Sequence, residues 1–459
     1  MVVNMMPRSL SRETNQDSEP SLTVNAANPR QIVGTAFTPD PMGGPLAPVY
    51  VSTDGGATWR LNSIVPSVGG SSSGTADISL AFGTKGGRLY GGILRDPSTD
   101  FETLRAASAT SSAAMQTLAS RPDNDQPFTF AITKARRDRV YIGNNDFQAA
   151  PRTASIDVSV NAGAPKPTFK SVRLESRTTV GQDGPQIRPV GHADGAVYAA
   201  YYGWRAQSGS FPGNTLIVTT DVVVVRADNG GAGASAFRAL VDPSDGLPGR
   251  LVARGVRIPF NRNGTATTGQ QRIGGTLSVA VDPRPNQSGT VYLAWADQQP
   301  PAFLVLHVRR STDRGVTWSP ADLLTVPNAI NAALAINSAG RIGLLYQQLA
   351  GTGSTRRWVT HFRLSASGAN WDDLVLCTTP ADVPAKTFDP YLGDYDHLVA
   401  VGTDFHGIFS ASNTPDMANF PNGVTYQRNA DFATHRLLAL DNTTPVPPSI
   451  DPFFFKVRG

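Results

Sequence analysis

The stretch FDPYLGDYDH crowds Asp389, Tyr391, Asp394, Tyr395, Asp396 and His397 together. A tyrosine among carboxylates allows two chemistries: attack on an anomeric carbon with a carboxyl as acid or base, or oxygen ligation of calcium. Glu19 and Asp125 stand at the starts of two other β-type runs, and with Asp389 they are the candidate acid/base partners of a catalytic Tyr391. Crowded acids raise one another's pKa, which is how a carboxyl stays protonated near neutrality. Arg188 and Arg205 offer guanidinium forks for an anionic group. Trp204 and Trp295 offer ring faces, and Gln186, Asp297 and Asn145 offer bonds to hydroxyls, a mixture suited to a sugar. Any one strand-leading Asp or Asn is more simply a turn cap, so the cluster carries more weight than its members.

These residues are far apart in sequence, and a repeat is what can gather them. A two-strand pattern returns as EPSLTVNAANPRQIVGTAF, DISLAFGTKGGRLYGGILR, QPFTFAITKARRDRVYIGNNDF and PQIRPVGHADGAVYAAYYGW. It continues as TLSVAVDPRPNQSGTVYLAW, NAALAINSAGRIGLLYQQ and PYLGDYDHLVAVGTDFHGIFSAS. A spacing of about 50 to 60 residues, with one gap of roughly 95 after the fourth segment, suits four-stranded propeller blades. In that architecture the leading ends of the innermost strands, and the loops between second and third strands, converge on the axis. The expectation is an all-β chain forming a single β-propeller over 15–459, with seven blades favoured over six and residues 1–14 as an arm. Closure should join the two chain ends in one blade through SIDPFFFKV, and an enlarged fourth blade with long loops should occupy about 205–275. Residues 101–119 are the one helix candidate and read equally well as surface loop.

A second motif bears on the same fold. In VYVSTDGGATWR, Ser52, Asp54, Gly56, Thr58 and Trp59 have the offsets that Ser311, Asp313, Gly315, Thr317 and Trp318 repeat in HVRRSTDRGVTWS. Each copy should close the hairpin between third and fourth strands: Ser and Asp bond turn N–H groups, Gly takes a positive φ, and Trp fills space between blades. LSASGANW keeps only Gly368 and Trp371, with Leu364 and Ala366 in place of Ser and Asp, while RADNGG keeps Asp228 and Gly230. The pattern Ser-x-Asp-x-Gly-x-Thr-Trp is the Asp-box, or bacterial neuraminidase repeat, and the chain resembles the sialidase-like superfamily of β-propellers from about residue 15 onward. The resemblance implies a structural role for both boxes on the face away from the binding mouth, and it covers enzymes, receptors and assembly factors alike. Arg257-Ile258-Pro259 spells the family's Arg-Ile-Pro, but far beyond the first box, so the family's catalytic residues are not carried over.

The remaining features exclude more than they assign. Gly 44 and Pro 35 with 17% charged residues suit many short strands and tight turns, and a formal charge of +4, scattered, does not call for a nucleic-acid partner. Cys377 is the single cysteine, so no internal disulfide or multi-cysteine metal site forms. No leader-like or membrane-spanning run is present, which fits a cytoplasmic protein, a processed form, or export without a leader. Phosphate-loop, zinc-helix and nucleophile-elbow motifs are absent. Three functions remain open: a propeller recognising a glycan or protein surface at its axial mouth, a sialidase-like glycoside hydrolase or other propeller enzyme, and a structural subunit of an assembly. Calcium is the only cofactor with any sequence support.

Overall fold

Short apolar-alternating runs separated by Gly, Asn and Asp turns fold here into meanders, each strand pairing antiparallel with the next. The computed structural model describes residues 1–37, 44–66, 75–95, 100–260, 276–385 and 391–459. Blade one comprises Ser18–Val24, Ile32–Phe37, Leu46–Ser52 and Arg60–Pro66; blade two Ile78–Phe82, Leu89–Leu94, Phe101–Ala106 and Gln116–Arg121. Blade three comprises Asn124–Lys134, Arg137–Asp146, Thr153–Ser159 and Lys170–Arg173; blade four Arg188–Gly191, Val197–Ser208, Ile217–Ala227 and Arg250–Pro259. Blade five is Leu277–Val281, Val291–Asp297, Val305–Ser311 and Leu324–Pro327, and blade six Ala329–Ile336, Ile342–Ala350, Arg357–Ser365 and Asp372–Pro380. Each innermost strand packs on the next, and His397–Val401 of the seventh sheet packs on Ser18–Val24 of the first, closing a ring. The chain is a β-propeller, with seven such sheets among the described residues.

Side-chain acceptors lock the ring from blade to blade. Ser21 Oγ accepts from Leu80 N at 3.2 Å, Ser79 Oγ from Thr129 N at 2.9 Å, and Ser278 Oγ from Leu334 N at 2.9 Å. At the closure His397 Nδ1 takes the same part, accepting from Leu22 N at 3.1 Å. Inner strands share no ladder across blades, so these bonds satisfy backbone donors that would otherwise be buried unpaired. Between blades the faces are apolar: Tyr198, Val222 and Val224 of blade four pack with Leu277, Val291 and Leu293 of blade five.

The seventh sheet is built from both ends of the chain. Ile450–Arg458 pairs with Asp404–Ser412 on one side and Val2–Asn4 on the other, and Phe453, Phe454 and Phe455 are fully buried. The expected N-terminal arm is therefore corrected: the segment supplies a strand because the last sheet would otherwise present a raw edge. A wholly buried ion pair, Arg428 Nη1 to Asp451 Oδ2 at 3.0 Å, anchors it. Arg428 Nη2 also donates to the Ser11 and Glu13 carbonyls, and Asn4 Nδ2 donates to Asp451 Oδ2 at 2.7 Å. Between Ser412 and Ile450 the chain makes an excursion carrying a three-stranded sheet of Ala430–Asp431, Arg436–Leu438 and Pro445–Val446, which its sequence did not foretell. The helix candidate at 101–119 is a hairpin instead, Phe101–Ala106 with Gln116–Arg121, whose first strand is buried at all but Glu102 and Arg105 and shifts register between Thr103 and Leu104. Blade four is extended by a connection from Ala227 to Arg250, and residues 261–275 of the expected enlargement lie outside the described residues.

Candidate functional site

The face where the innermost strands begin is called the upper face. At its centre three strands share an irregularity: the register slips between Ser18 and Ser21, between Asp125 and Phe128, and between Ile330 and Ala333. Inside each slip one polar residue has left-handed backbone, Glu19 at φ 53°, Gln126 at φ 50° and Asn331 at φ 57°. Such a conformation costs an L-residue roughly 1–2 kcal/mol, and bulges of this kind re-aim side chains. All three side chains meet one stretch of chain, Tyr391–Asp396, just before the seventh inner strand. Glu19 Oε1 accepts from Asp394 N at 3.3 Å, Gln126 Nε2 donates to Asp394 Oδ2 at 3.1 Å, and Asn331 Nδ2 donates to the Gly393 carbonyl at 3.2 Å. Tyr395 Oη donates to Asp77 Oδ1 at 2.7 Å, and Arg188 Nη2 donates to the Asp396 carbonyl at 3.3 Å. Tyr391–Asp396 thus ties together residues of blades one, two, three, four and six.

The resulting layer is polar and buried. Glu19, Asp77, Gln126, Gln186, Asp394 and Tyr395 are each at most 2% exposed, so the expected open mouth is a sealed one. Among the described residues, Gln126 Oε1, Gln186 Oε1 and Asn145 Nδ2 make no hydrogen bond. Burial drives the Tyr395 phenol well above its ordinary value, and the Asp77 and Glu19 charges push the same way. Asp396 is also raised, by burial first, with the Ser410 backbone N–H and Arg188 opposing. Burial depresses His397 to about 3, helped by the Arg188 charge, so its imidazole is neutral and accepts through Nδ1.

The proposed nucleophile does not meet its partners. Tyr391 lies among Leu304, Ile330, Trp358 and Leu392, and its hydroxyl donates to the Pro384 carbonyl at 3.1 Å. It is a core residue, because the turn at Gly393, φ 88°, sends Tyr391 outward and Tyr395 inward. Glu19 is in the buried layer, Asp125 is half-buried and accepts from Gln126 N, and Asp389 lies outside the described residues. Of the binding candidates, Arg188 and Gln186 stand at the leading end of blade four's inner strand and Asn145 at the end of blade three's second strand; Asn145 Oδ1 accepts from Gln182 Nε2 at 3.1 Å and Gln186 Nε2 donates to the Pro127 carbonyl at 3.2 Å.

The other four are engaged within their blades. Arg205 is held by Glu175 at 2.9 Å and Asp221 at 2.7 Å, and Trp204 packs edge-on against Phe260. Trp295 is buried, donates to Asp297 Oδ2 at 2.9 Å and stacks on His307 at 4.9 Å, so neither it nor Asp297 offers a free face to a sugar. Blade six copies this ladder with Tyr346 stacked on His361 and Arg363 over the ring. Asn331 escaped notice in sequence; aligning the sixth repeat on the third would have set it against Gln126. Among the described residues, no group of three or more His, Cys, Asp or Glu is placed to hold a metal ion.

Both Ser-Asp-Gly-Trp turns close hairpins on the opposite, lower face. Gly56 N donates to Ser52 Oγ at 2.9 Å, Thr58 N to Asp54 Oδ1 at 3.0 Å and Trp59 Nε1 to the Gly56 carbonyl at 3.1 Å. Gly315 N to Ser311 Oγ, Thr317 N to Asp313 Oδ1 and Trp318 Nε1 to the Gly315 carbonyl repeat the set at 2.8, 2.8 and 3.2 Å. The degenerate copy is one residue shorter, with Ser365 Oγ accepting from Gly368 N at 2.8 Å. Asp228 instead pairs with Arg226 and Arg314, each at 2.8 Å. Arg257 is an exposed residue of an outer strand, away from the axis.

Strand topology therefore defines the class, a β-propeller with a buried polar layer at one end of its axis. No family model matches the chain, and no curated protein matches it. Among solved structures it is similar to a protein of unknown function from Dyadobacter fermentans, at 10% identity over 100% of this chain and 98% of that chain, with a TM-score of 0.46. It is similar to an α-L-arabinofuranosidase from Fusarium graminearum at 11% identity, 100% and 97% coverage and a TM-score of 0.38. An α-L-arabinanase from Penicillium chrysogenum complexed with arabinobiose gives 13% identity, 98% and 97% coverage and a TM-score of 0.41. Likenesses of this degree assign no activity, and the functional reading rests on the chain's own residues.

Proposed function

We propose that the chain is an Asp-box propeller of the sialidase-like kind that recognises a glycan at the upper end of its axis. The observation that carries the reading is the buried layer itself, in which Gln126 Oε1, Gln186 Oε1 and Asn145 Nδ2 have no hydrogen-bond partner among the described residues. Sugar hydroxyls donate and accept at once, so they suit both the spare acceptors and the spare donor. Left-handed backbone at Glu19, Gln126 and Asn331 supports the same reading, since strain of this kind collects at ligand sites. Binding must displace Tyr391–Asp396, which crosses the ring.

A glycoside hydrolase is the second reading, favoured by the Tyr395–Asp77 contact at 2.7 Å. Its surroundings weigh against it. A nucleophilic tyrosine needs its proton made easier to remove, whereas burial and the charges of Asp77 and Glu19 hold this phenol protonated. A glycan array run beside a panel of fluorogenic sialosides, arabinosides and other glycosides tests both. Array signal that disappears in Gln126→Leu, without turnover, is the expected result; turnover abolished by Tyr395→Phe would install the enzyme reading instead.

A further inference from the structure

A cavity of about 370 Å³ runs along the axis below the polar layer, within the size range of small-ligand sites. Its walls include Leu22, Val24, Phe82, Ile132, Val281 and Ile336, from the lower halves of the inner strands. It reaches the lower face among the turns that carry Ala26, Thr84, Ala193 and Pro283, all exposed. At its upper end stand Phe128, Arg188 and His397.

Arg188 is the anomaly in this apolar tube. It is 4% exposed, and a guanidinium stays ionised at any ordinary pH even though burial lowers this one to about 10. Among the described residues it makes no ion pair; its contacts are the Asp396 carbonyl at 3.3 Å and the Phe128 ring at 4.8 Å, and its Nε has no acceptor. Asp396 acts on it only through its charge, with burial raising that carboxyl and Arg188 lowering it; the bond Arg188 makes is to the Asp396 carbonyl and not to its carboxylate. Arg428, also buried, shows the usual arrangement, with a carboxylate and two carbonyls around it. A lone buried cation at the closed end of an apolar cavity is costly unless an anion arrives. His397 adds a donor, since its Nδ1 accepts from Leu22 N and its Nε2 must carry the proton.

We propose that the axial cavity binds a small amphipathic carboxylate from the lower face, its apolar body between the inner strands and its carboxylate on Arg188. The cavity opens on the face opposite to the one the glycan reading concerns, and the two meet at Arg188, which bonds the Asp396 carbonyl of the crossing; octanoate titration reads the lower opening alone. The test is calorimetric titration of the full chain with octanoate, octan-1-ol, octylamine and acetate. Octanoate should bind and octan-1-ol more weakly, while the amine, a cation at neutral pH, and acetate, which has no apolar body, should not. Arg188→Gln should weaken octanoate about tenfold or more, while its unliganded Tm holds or rises because an uncompensated charge is gone. Ala335→Leu, which narrows the cavity and leaves Arg188 in place, should also weaken octanoate. Octanol binding as tightly as octanoate, or octanoate binding equally to wild type and Arg188→Gln, overturns the proposal; so does a lowered Tm in Arg188→Gln with octanoate affinity intact, the mark of a purely structural arginine.

Discussion

Asp54 shows how much a turn can ask of one side chain. Its carboxylate receives Ser52 Oγ, Thr58 N and Thr58 Oγ1, and those bonds hold its pKa low despite the opposing effect of partial burial. Asp54→Ala should cost about 1–2 kcal/mol in urea unfolding, as the loss of this hydrogen-bond set, with ligand binding unchanged. Gly56→Ala should cost more, because φ is 92° and a Cβ there would lie 2.0 Å from the Phe454 ring. His307 gives a residue-scale dependence on pH. Burial disfavours its charge, but Asp297 and Asp322 more than offset this and raise it to about 9, with Arg309 bound to the same Asp322. A raised histidine contributes stability below its unfolded value of about 6.5 that disappears as pH climbs through the folded value. Wild type should therefore lose its Tm advantage over His307→Gln between neutral pH and about pH 9; a constant difference across that window would refute the ion-paired imidazolium.

At the scale of elements, the crossing Tyr391–Asp396 decides whether the polar layer is open or sealed. Its geometry turns on Gly393, at φ 88°, where an added Cβ would lie 2.4 Å from Glu19 N. Gly393→Ala should lift the crossing from the ring. Hydrogen exchange ought to speed up at 391–396 and at the leading ends of the first and third inner strands, with the outer strands unaffected. Uniform acceleration over all blades would mean that the crossing holds the whole ring together rather than covering one end of it.

For the whole molecule, the closure between Val2–Asn4 and Ile450–Arg458 is the joint on which the ring depends. Removing residues 1–6 exposes the edge of Ile450–Arg458 and takes Asn4 from Asp451, so we expect a Tm lower by several degrees and concentration-dependent association through the bare edge. Arg428→Met should be harsher, about 3–5 kcal/mol, because it leaves Asp451 buried without its counter-charge. Equal melting of wild type and the shortened chain would show that the first strand is decorative.

The repeat of strand pairs and turn residues was enough to determine an all-β propeller, its closing strand and the two locked hairpins, because each rests on local alternation, on a glycine's positive φ, or on Ser and Asp bonding their own turn. Which polar residues meet was not so readable. FDPYLGDYDH announced a tyrosine beside carboxylates, yet only the turn at Gly393 decided that Tyr395 joins Asp77 while Tyr391 enters the core. Trp295, Asp297 and Arg205 had the right types for a sugar, and neighbouring strands claimed them first. The lone charge of Arg188 was equally invisible, since whether a guanidinium finds a partner depends on how seven strands far apart in sequence close around one axis, and side chains are paired there by distance in space.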